Sequence, residues 1–222
     1  MHGYYNILSA ERLKKCYDIA TPRTKMYLKA EIEFVIGKLK PSTQILELGC
    51  GYGRILEQLA AGAVTIAGID TSLVSLKFGK NILNDKPGIS FSCMDAVCLG
   101  FRNNSFDIVL CLQNGISAFH SNKLQLVKEA IRVTRKGGKI LFATYSDKFW
   151  GARLEWFRMQ AAEGLIGEID ETKTVRGTII CKDGFKATTI NQEEFKSLVS
   201  SLNIIPKITE VDESSIFFEI EK

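Results

Sequence analysis

Apolar and polar positions along the chain change period several times, and each change marks an element. Leu28, Ile32, Val35, Ile36 and Leu39 recur at helical spacing, which predicts a helix started by Thr21-Pro22 and ended by Pro41. A shorter helix, over about residues 10–20, is predicted ahead of it with Ser9 as its cap. The run Gln44-Ile-Leu-Glu-Leu48 is too apolar to have a wet face, as expected of a parallel strand covered on both sides. A glycine-rich bend follows, after which Ile55, Leu56, Leu59 and Ala60 return to helical spacing. The same strand-then-helix alternation continues with strands over residues 64–70, 89–93 and about 106–112, and with a fifth over 139–144. The helix before that fifth strand carries Leu124, Val127, Ala130, Ile131 and Val133 and is expected to stop at Arg135-Lys-Gly-Gly138.

Residues 146–190 break the alternation. Phe149, Trp150, Leu154, Trp156, Phe157 and Met159 crowd one helical stretch, and strand-like runs over 174–181 and 185–190 flank Lys182-Asp-Gly184, a hairpin signal. Asn191 with Glu194 three residues on resembles a capping box that opens a last helix. The closing runs over 207–211 and 216–220 are too close in sequence for a crossover, so they must pair antiparallel. The expected fold is a doubly wound α/β domain with a mostly parallel sheet. It divides into N-terminal helices (1–43), a core (44–145), a helix-plus-hairpin insert (146–190) and a C-terminal helix with two strands (191–222).

Composition adds limits. At 222 residues, 45% hydrophobic and 24% charged, the chain has enough apolar surface for one large core. No run approaches the roughly 20 apolar residues of a membrane span, and the polar start Met-His-Gly-Tyr-Tyr-Asn is no signal peptide, which points to a cytoplasmic protein. A net charge of +4 without a block of like charges does not indicate nucleic acid. The six cysteines form no C-x-x-C pair. Cys50, Cys93 and Cys111 fall in or beside apolar runs, so buried free thiols are expected rather than disulfides or metal ligands.

The candidate chemistry sits at the strand ends. Glu47 precedes Gly49-x-Gly51-x-Gly53, where the backbone can take positive φ and approach a ligand closely. A dinucleotide fingerprint, G-x-G-x-x-G, would need glycine at position 54, which is arginine here. Asp70 closes the second strand about 20 residues beyond the glycines, where a carboxylate can take both hydroxyls of a ribose or simply cap the next helix. Asp95 and Ala96 follow the third strand, and Gln113, Asn114 and Gly115 follow the fourth. His120 lies a few residues on and is available as a general base, with plain solvation beside a helix start as the alternative.

The E-x-G-x-G-x-G stretch of residues 47–53 resembles the nucleotide-binding loop of class I S-adenosylmethionine-dependent methyltransferases. Phe106-Asp-Ile-Val109 looks like that family's F-D-x-V opening of the fourth strand, and residues 131–141 are similar to its R-x-L-K-P-G-G stretch, with Lys136 in place of the proline. The resemblance implies a seven-stranded sheet with its last strand antiparallel and S-adenosyl-L-methionine as cofactor. Carried over residue by residue, Glu47, Gly49, Cys50, Gly51, Asp70, Thr71, Asp95, Ala96 and Gln113 are its implied binding residues. Asp95 would receive the adenine amino group and the Ala96 N–H a ring nitrogen. Cys111-Leu-Gln-Asn-Gly115 departs from the D/N-P-P-Y/F stretch of methyltransferases acting on base or amide nitrogens. The implied acceptor is a small molecule, with no metal and no assigned catalytic residue. A non-catalytic S-adenosylmethionine-binding or RNA-associated module is the alternative, and an NAD-dependent oxidoreductase a weaker one.

Overall fold

The computed structural model describes residues 8–60, 65–83, 86–119 and 122–222. Val64 and His120, to which expectations attached above, lie outside them. Two helices, α1 (Ala10–Asp18) and α2 (Pro22–Ile36), precede β1 (Gln44–Leu48), α3 (Arg54–Leu59), β2 (Thr65–Asp70), α4 (Leu73–Leu83), β3 (Ile89–Cys93) and β4 (Phe106–Cys111). Next come a single turn α5 (Gly115–Ala118), then α6 (Lys123–Val133), β5 (Thr134–Tyr145) and α7 (Trp150–Ala162). The chain closes with β6 (Thr178–Ile180), β7 (Lys186–Thr188), α8 (Gln192–Ser200), β8 (Lys207–Val211) and β9 (Ser215–Glu221).

Seven strands form one sheet in the order β3-β2-β1-β4-β5-β9-β8, and β6 pairs with β7 apart from it. The pairs β2–β3, β1–β2, β1–β4 and β4–β5 are parallel, while β9 runs antiparallel to both β5 and β8. The expected doubly wound sheet with an antiparallel last strand is therefore present. Side chains alternate across the pleat and build a core on each face. Leu46, Phe142 and Phe218 point toward α6 and α8, where Phe195 stacks on Phe218 at 4.0 Å. Ile45, Leu141 and Phe217 point the other way, toward Ile32 and Val35 of α2 and Leu56 of α3. A smaller apolar cluster joins Leu13 and Cys16 of α1, Tyr52 of the glycine loop and Phe157 of α7 with Ile179 and Cys181 of the insert. That cluster lies where the insert and the first helix meet, beside the glycine loop at the end of β1.

Several local expectations are corrected. Gly37 closes α2 four residues before Pro41, so Leu39 packs from the following turn rather than from the helix. The Gly-Gly expected to terminate α6 lies inside β5 instead, because that helix ends at Val133 and Thr134 is already extended. The hairpin strands are three residues each, shorter than the runs that signalled them. The Ser9 side chain makes no cap bond, and the Ala10 N–H donates to Ser75 Oγ of α4 at 2.9 Å. All six cysteines are free, but Cys93 and Cys98 are exposed. Cys93 ends β3, an edge strand with one neighbour, so its apolar setting in the sequence does not bring burial.

Candidate functional site

The site starts at the bend after β1. Gly49, Gly51 and Gly53 all have positive φ, at 77°, 55° and 84°, a region disfavoured for side chains with a Cβ. Their spatial reasons differ. A Cβ on Gly53 would stand 2.6 Å from the Phe91 ring, so this residue serves packing, whereas Cβ atoms on Gly49 and Gly51 would approach Phe119 at 3.2 Å and Leu13 at 3.0 Å. The loop N–H groups point inward. Those of Gly49 and Cys50 both donate to the Ile69 carbonyl at 2.9 Å, and that of Gly51 donates to Asp70 Oδ2 at 2.9 Å. Amides used in this way form no nest for a pyrophosphate, which separates this loop from a dinucleotide site.

Asp70 holds the loop from behind. Its second oxygen accepts from the Ser72 N–H at 2.8 Å, and the cap of α4 is Ser72 itself, whose Oγ accepts from the Ser75 N–H at 3.2 Å. Asp70 is thus a tie between β2, the glycine loop and the turn into α4, rather than the helix cap. Thr71 and Asp95 follow on the adjacent strand ends, both exposed, and Ala96 is buried. The Thr71 carbonyl receives the Cys93 thiol at 3.7 Å, and Asp95 Oδ1 accepts from the Val97 N–H at 3.0 Å. Asp70, Thr71, Asp95 and Ala96 therefore succeed one another along the sheet edge, outside the cleft that Glu47, Gly49, Cys50, Gly51 and Gln113 line together.

That cleft contains polar atoms without protein partners. Glu47 Oε2, Arg54 Nε and Nη2, and Gln113 Nε2 are all buried, and none has a hydrogen-bond partner among the described residues. Such groups cost on the order of 1–3 kcal/mol each when left unsatisfied, more when charged. Burial pushes the Glu47 carboxyl up to about 8, against the pull of Arg54 and with a further push from Asp70. The Arg54 guanidinium lies 4.6 Å from the centre of the Tyr17 ring. Gln113 sits in the left-handed region with φ 52°. Its N–H donates to Glu31 Oε2 at 2.9 Å, while Glu31 Oε1 accepts from Ser215 Oγ at 2.5 Å. Burial raises Glu31 to about 7, opposed by these hydrogen bonds.

A second cleft adjoins the first and shares Leu13, Tyr17 and Gln113 with it. It is walled by Tyr145, Trp156 and Phe157 and carries Arg153 and Lys186. Trp156 and Phe157 of the aromatic stretch line this cleft and are both buried. Trp156 is buried, its Nε1–H donates to the Cys16 carbonyl of α1 at 2.8 Å, and its ring is 6.0 Å from that of Tyr17. The enclosed spaces are only about 60 and 50 Å³, against roughly 300–1,000 Å³ for a ligand pocket. Among the described residues, no Asp, Glu or His lines the second cleft. No cluster of potential metal ligands exists among the described residues.

Four residues of this geometry escaped the reading of the sequence. Arg54 registered only as a departure from the dinucleotide pattern, and Tyr17 only as part of the helix over about residues 10–20. Glu31 carried a signal that went unused, an acid between Leu28 and Ile32 on the apolar face of α2. Arg153 sits within the aromatic stretch and offered no pattern of its own.

Comparison with known proteins agrees with this geometry. Residues 45–138 match the family model described as a methyltransferase domain. The demethylmenaquinone methyltransferase of Renibacterium salmoninarum is 34% identical over 111 residues, covering 50% of this chain and 45% of that protein. The 2-methyl-6-phytyl-1,4-hydroquinone methyltransferase of Synechocystis is 25% identical over 187 residues, covering 73% and 58%. The chain thus spans about half the length of the curated relatives it matches. A putative S-adenosyl-L-methionine-dependent methyltransferase from Methanococcus maripaludis superposes with a TM-score of 0.70 at 16% identity, covering 100% of this chain and 97% of that one. At that identity the likeness speaks for the fold alone. Residues 45–138, from β1 into β5, thus match a methyltransferase domain, and the sheet order that continues through β9 gives the whole chain the fold of the S-adenosyl-L-methionine-dependent methyltransferase it superposes on.

Proposed function

We propose that the protein binds S-adenosyl-L-methionine in the cleft beside the glycine loop and transfers its methyl group to a small molecule held in the adjoining cleft. The observation that carries this is the set of unpartnered polar atoms on Glu47, Arg54 and Gln113 gathered in one cleft. One carboxyl oxygen of Glu47 and two guanidinium nitrogens of Arg54 without hydrogen-bond partners among the described residues suit the two ends of an amino-acid zwitterion, which a dinucleotide lacks. Gly49 and Gly51 leave room along the loop, and Asp70, Thr71, Asp95 and Ala96 stand where a ribose and a base would continue along the sheet edge. Bound there, the cofactor supplies an electrophilic methyl on sulfur, which accepts a nucleophile's electron pair as the carbon–sulfur bond breaks.

The chain's own part is alignment and exclusion of water. Tyr17 and Gln113 stand between the clefts, and the aromatic wall of Tyr145, Trp156 and Phe157 keeps the acceptor side dry. No dedicated base is assigned, and no Asp, Glu or His among the described residues lines that side. The named activities of the relatives, on quinones and hydroquinones, support a small-molecule acceptor. Calorimetry with S-adenosylmethionine, S-adenosylhomocysteine and NAD tests the first half of the proposal; binding of NAD alone would end it. Incubation with methyl-labelled cofactor and fractionated extract tests the second half, with label expected in the low-mass fraction. Binding without any transfer of label would favour the non-catalytic module instead.

A further inference from the structure

Which polar atoms of the acceptor cleft are already used decides what hydrogen-bonding character it offers. The two side-chain amides that follow β4 both have their oxygens engaged. Gln113 Oε1 accepts from the Tyr17 hydroxyl at 3.1 Å, and Asn114 Oδ1 from the Thr144 hydroxyl at 2.9 Å. Carbonyls of β7 are engaged as well, that of Thr188 by Asn114 Nδ2 at 2.8 Å and that of Ala187 by Arg153 Nη2 at 3.2 Å. Arg153 is thereby tied into the fold and is not counted for a ligand. Ser117, Tyr145 and Thr188 bring hydroxyls, which donate as readily as they accept and so set no preference. Two donors then remain among the described residues. Gln113 Nε2 is buried without a hydrogen-bond partner at the junction of the two clefts, and Lys186, exposed in β7, makes no ion pair there. With Glu47 and Arg54 matched to the two ends of the cofactor's amino acid, Gln113 Nε2 is left for the acceptor.

We propose that the methyl acceptor is an acidic enol or phenol that enters as its oxyanion, and that Gln113 Nε2, aided by Lys186, selects that oxygen over an amine. A buried donor stays costly until a lone pair meets it, and an anion meets it with a charge-assisted bond. An amine would find the oxygens around it already taken and would leave Nε2 unpaired, the situation in which a polar site rejects a ligand most strongly. The same donors favour the ionised form of the oxygen, so its proton is lost to bulk water before entry. In the transfer an oxygen lone pair forms the bond to the methyl carbon while the carbon–sulfur pair passes to sulfur. An ether and a thioether result, with the charges of oxyanion and sulfonium cancelled. No proton has to leave inside the cleft, in keeping with a lining that has no carboxylate or imidazole among the described residues. The inference rests on the methyltransferase reading above, since it takes the second cleft to be the acceptor's.

The test uses the full chain with S-adenosylhomocysteine bound and two matched pairs of flat probes, 4-nitrophenol beside 4-nitroaniline and 4-hydroxycoumarin beside 4-aminocoumarin, titrated by calorimetry. The expected result is that at least one oxygen probe binds about tenfold or more tightly than its amine, as for a charge-assisted bond. That bound probe should also ionise at a lower pH than it does in water, which its absorbance reads without any turnover. Gln113→Glu sets a carboxylate in place of the donor at the same chain length. It should weaken the oxygen probe about tenfold or more and so remove the preference. If that variant does not fold, as its melting temperature shows, the preference and the ionisation in the unaltered protein decide alone. Amines binding as tightly as their oxygen partners, no probe binding at all, a bound oxygen probe that ionises no more readily than in water, or a folded Gln113→Glu protein that keeps the preference each overturns the proposal. Failure of S-adenosylhomocysteine to bind the unaltered protein would instead strike the methyltransferase reading, so the two failures are told apart.

Discussion

The Tyr17 hydroxyl donates to Gln113 Oε1 at 3.1 Å, and this one bond spans the boundary between the two clefts. It joins the first helix to the end of β4 and fixes which way the Gln113 amide faces. Tyr17→Phe keeps the ring over Arg54 but leaves the buried amide unheld. We expect turnover to fall about five- to fifty-fold, on the scale of a lost buried hydrogen bond, with cofactor affinity changed by no more than a few-fold. Calorimetry and single-turnover rates on the variant check both, and an unchanged rate would show that the amide needs no such orientation.

Glu47 holds its proton up to about pH 8 because it is buried. A cationic amino group arriving beside it favours the charged carboxylate, so cofactor binding near pH 7 should release protons, less so above pH 8. Calorimetry in buffers of different ionisation enthalpy reads that release directly, and Glu47→Gln should abolish it. The same shift bears on stability. Glu47 and Glu31 both have folded pKa values raised above the ordinary carboxyl value, to about 8 and about 7, so the folded state binds more protons than the unfolded one. Their contribution is fully present below about pH 4.5 and is lost as pH rises through 7 and 8. The Glu47→Gln variant should show a flatter decline across that window in denaturant titrations.

The glycines separate packing from binding. Gly51→Val places a branched side chain at a φ of 55° where even a Cβ meets Leu13 at 3.0 Å. Cofactor binding should be lost while the far-UV spectrum stays that of a folded protein. Gly53→Ala meets the Phe91 ring at 2.6 Å and carries a φ of 84°. It should instead lower stability by at least about 1–2 kcal/mol, the cost of a left-handed residue with a Cβ. Equal effects of the two substitutions on binding and melting would contradict this division.

Asp70 is expected to matter twice. Its carboxylate accepts two backbone N–H groups, from Gly51 and Ser72, and is 7% exposed. Asp70→Ala should therefore cost roughly 1.5–3 kcal/mol in unfolding free energy, the range for hydrogen bonds to a charged group, and weaken cofactor binding as the loop loosens. Asp70→Asn, which keeps one acceptor oxygen, should recover part of the stability. Unaltered stability in Asp70→Ala would mean that the loop is held by Ile69 alone.

Much of this was legible in the sequence because the strand ends carry it locally. Glu47, the glycines, Asp70 and Asp95 stand at fixed offsets from apolar runs, and a doubly wound sheet brings the ends of neighbouring strands to one edge. The close spacing of 207–211 and 216–220 likewise forced β8 and β9 to pair antiparallel. What was not legible depends on long-range contact. Nothing local says that Tyr17 meets Gln113 across 96 positions, or that Arg153 is buried, since arginine is usually exposed. The left-handed turn at Gln113 also has no signature, because that conformation is held from outside by Glu31. Gly137 and Gly138 misled for the opposite reason: a glycine pair after a basic turn looks like a helix stop, but the stop had already come at Val133.

Glu31 receives the Gln113 N–H on one oxygen and the Ser215 hydroxyl on the other. The residue at the heart of the site is thus clamped by α2, from the beginning of the chain, and by β9, from its end. Neither lies within residues 45–138, the part that matches the family of methyltransferase domains. The shared segment is therefore not autonomous. Cut out by itself, it would keep the glycine loop in sequence and lose the clamp in space, so ends that differ between relatives can retune a site whose own residues stay the same.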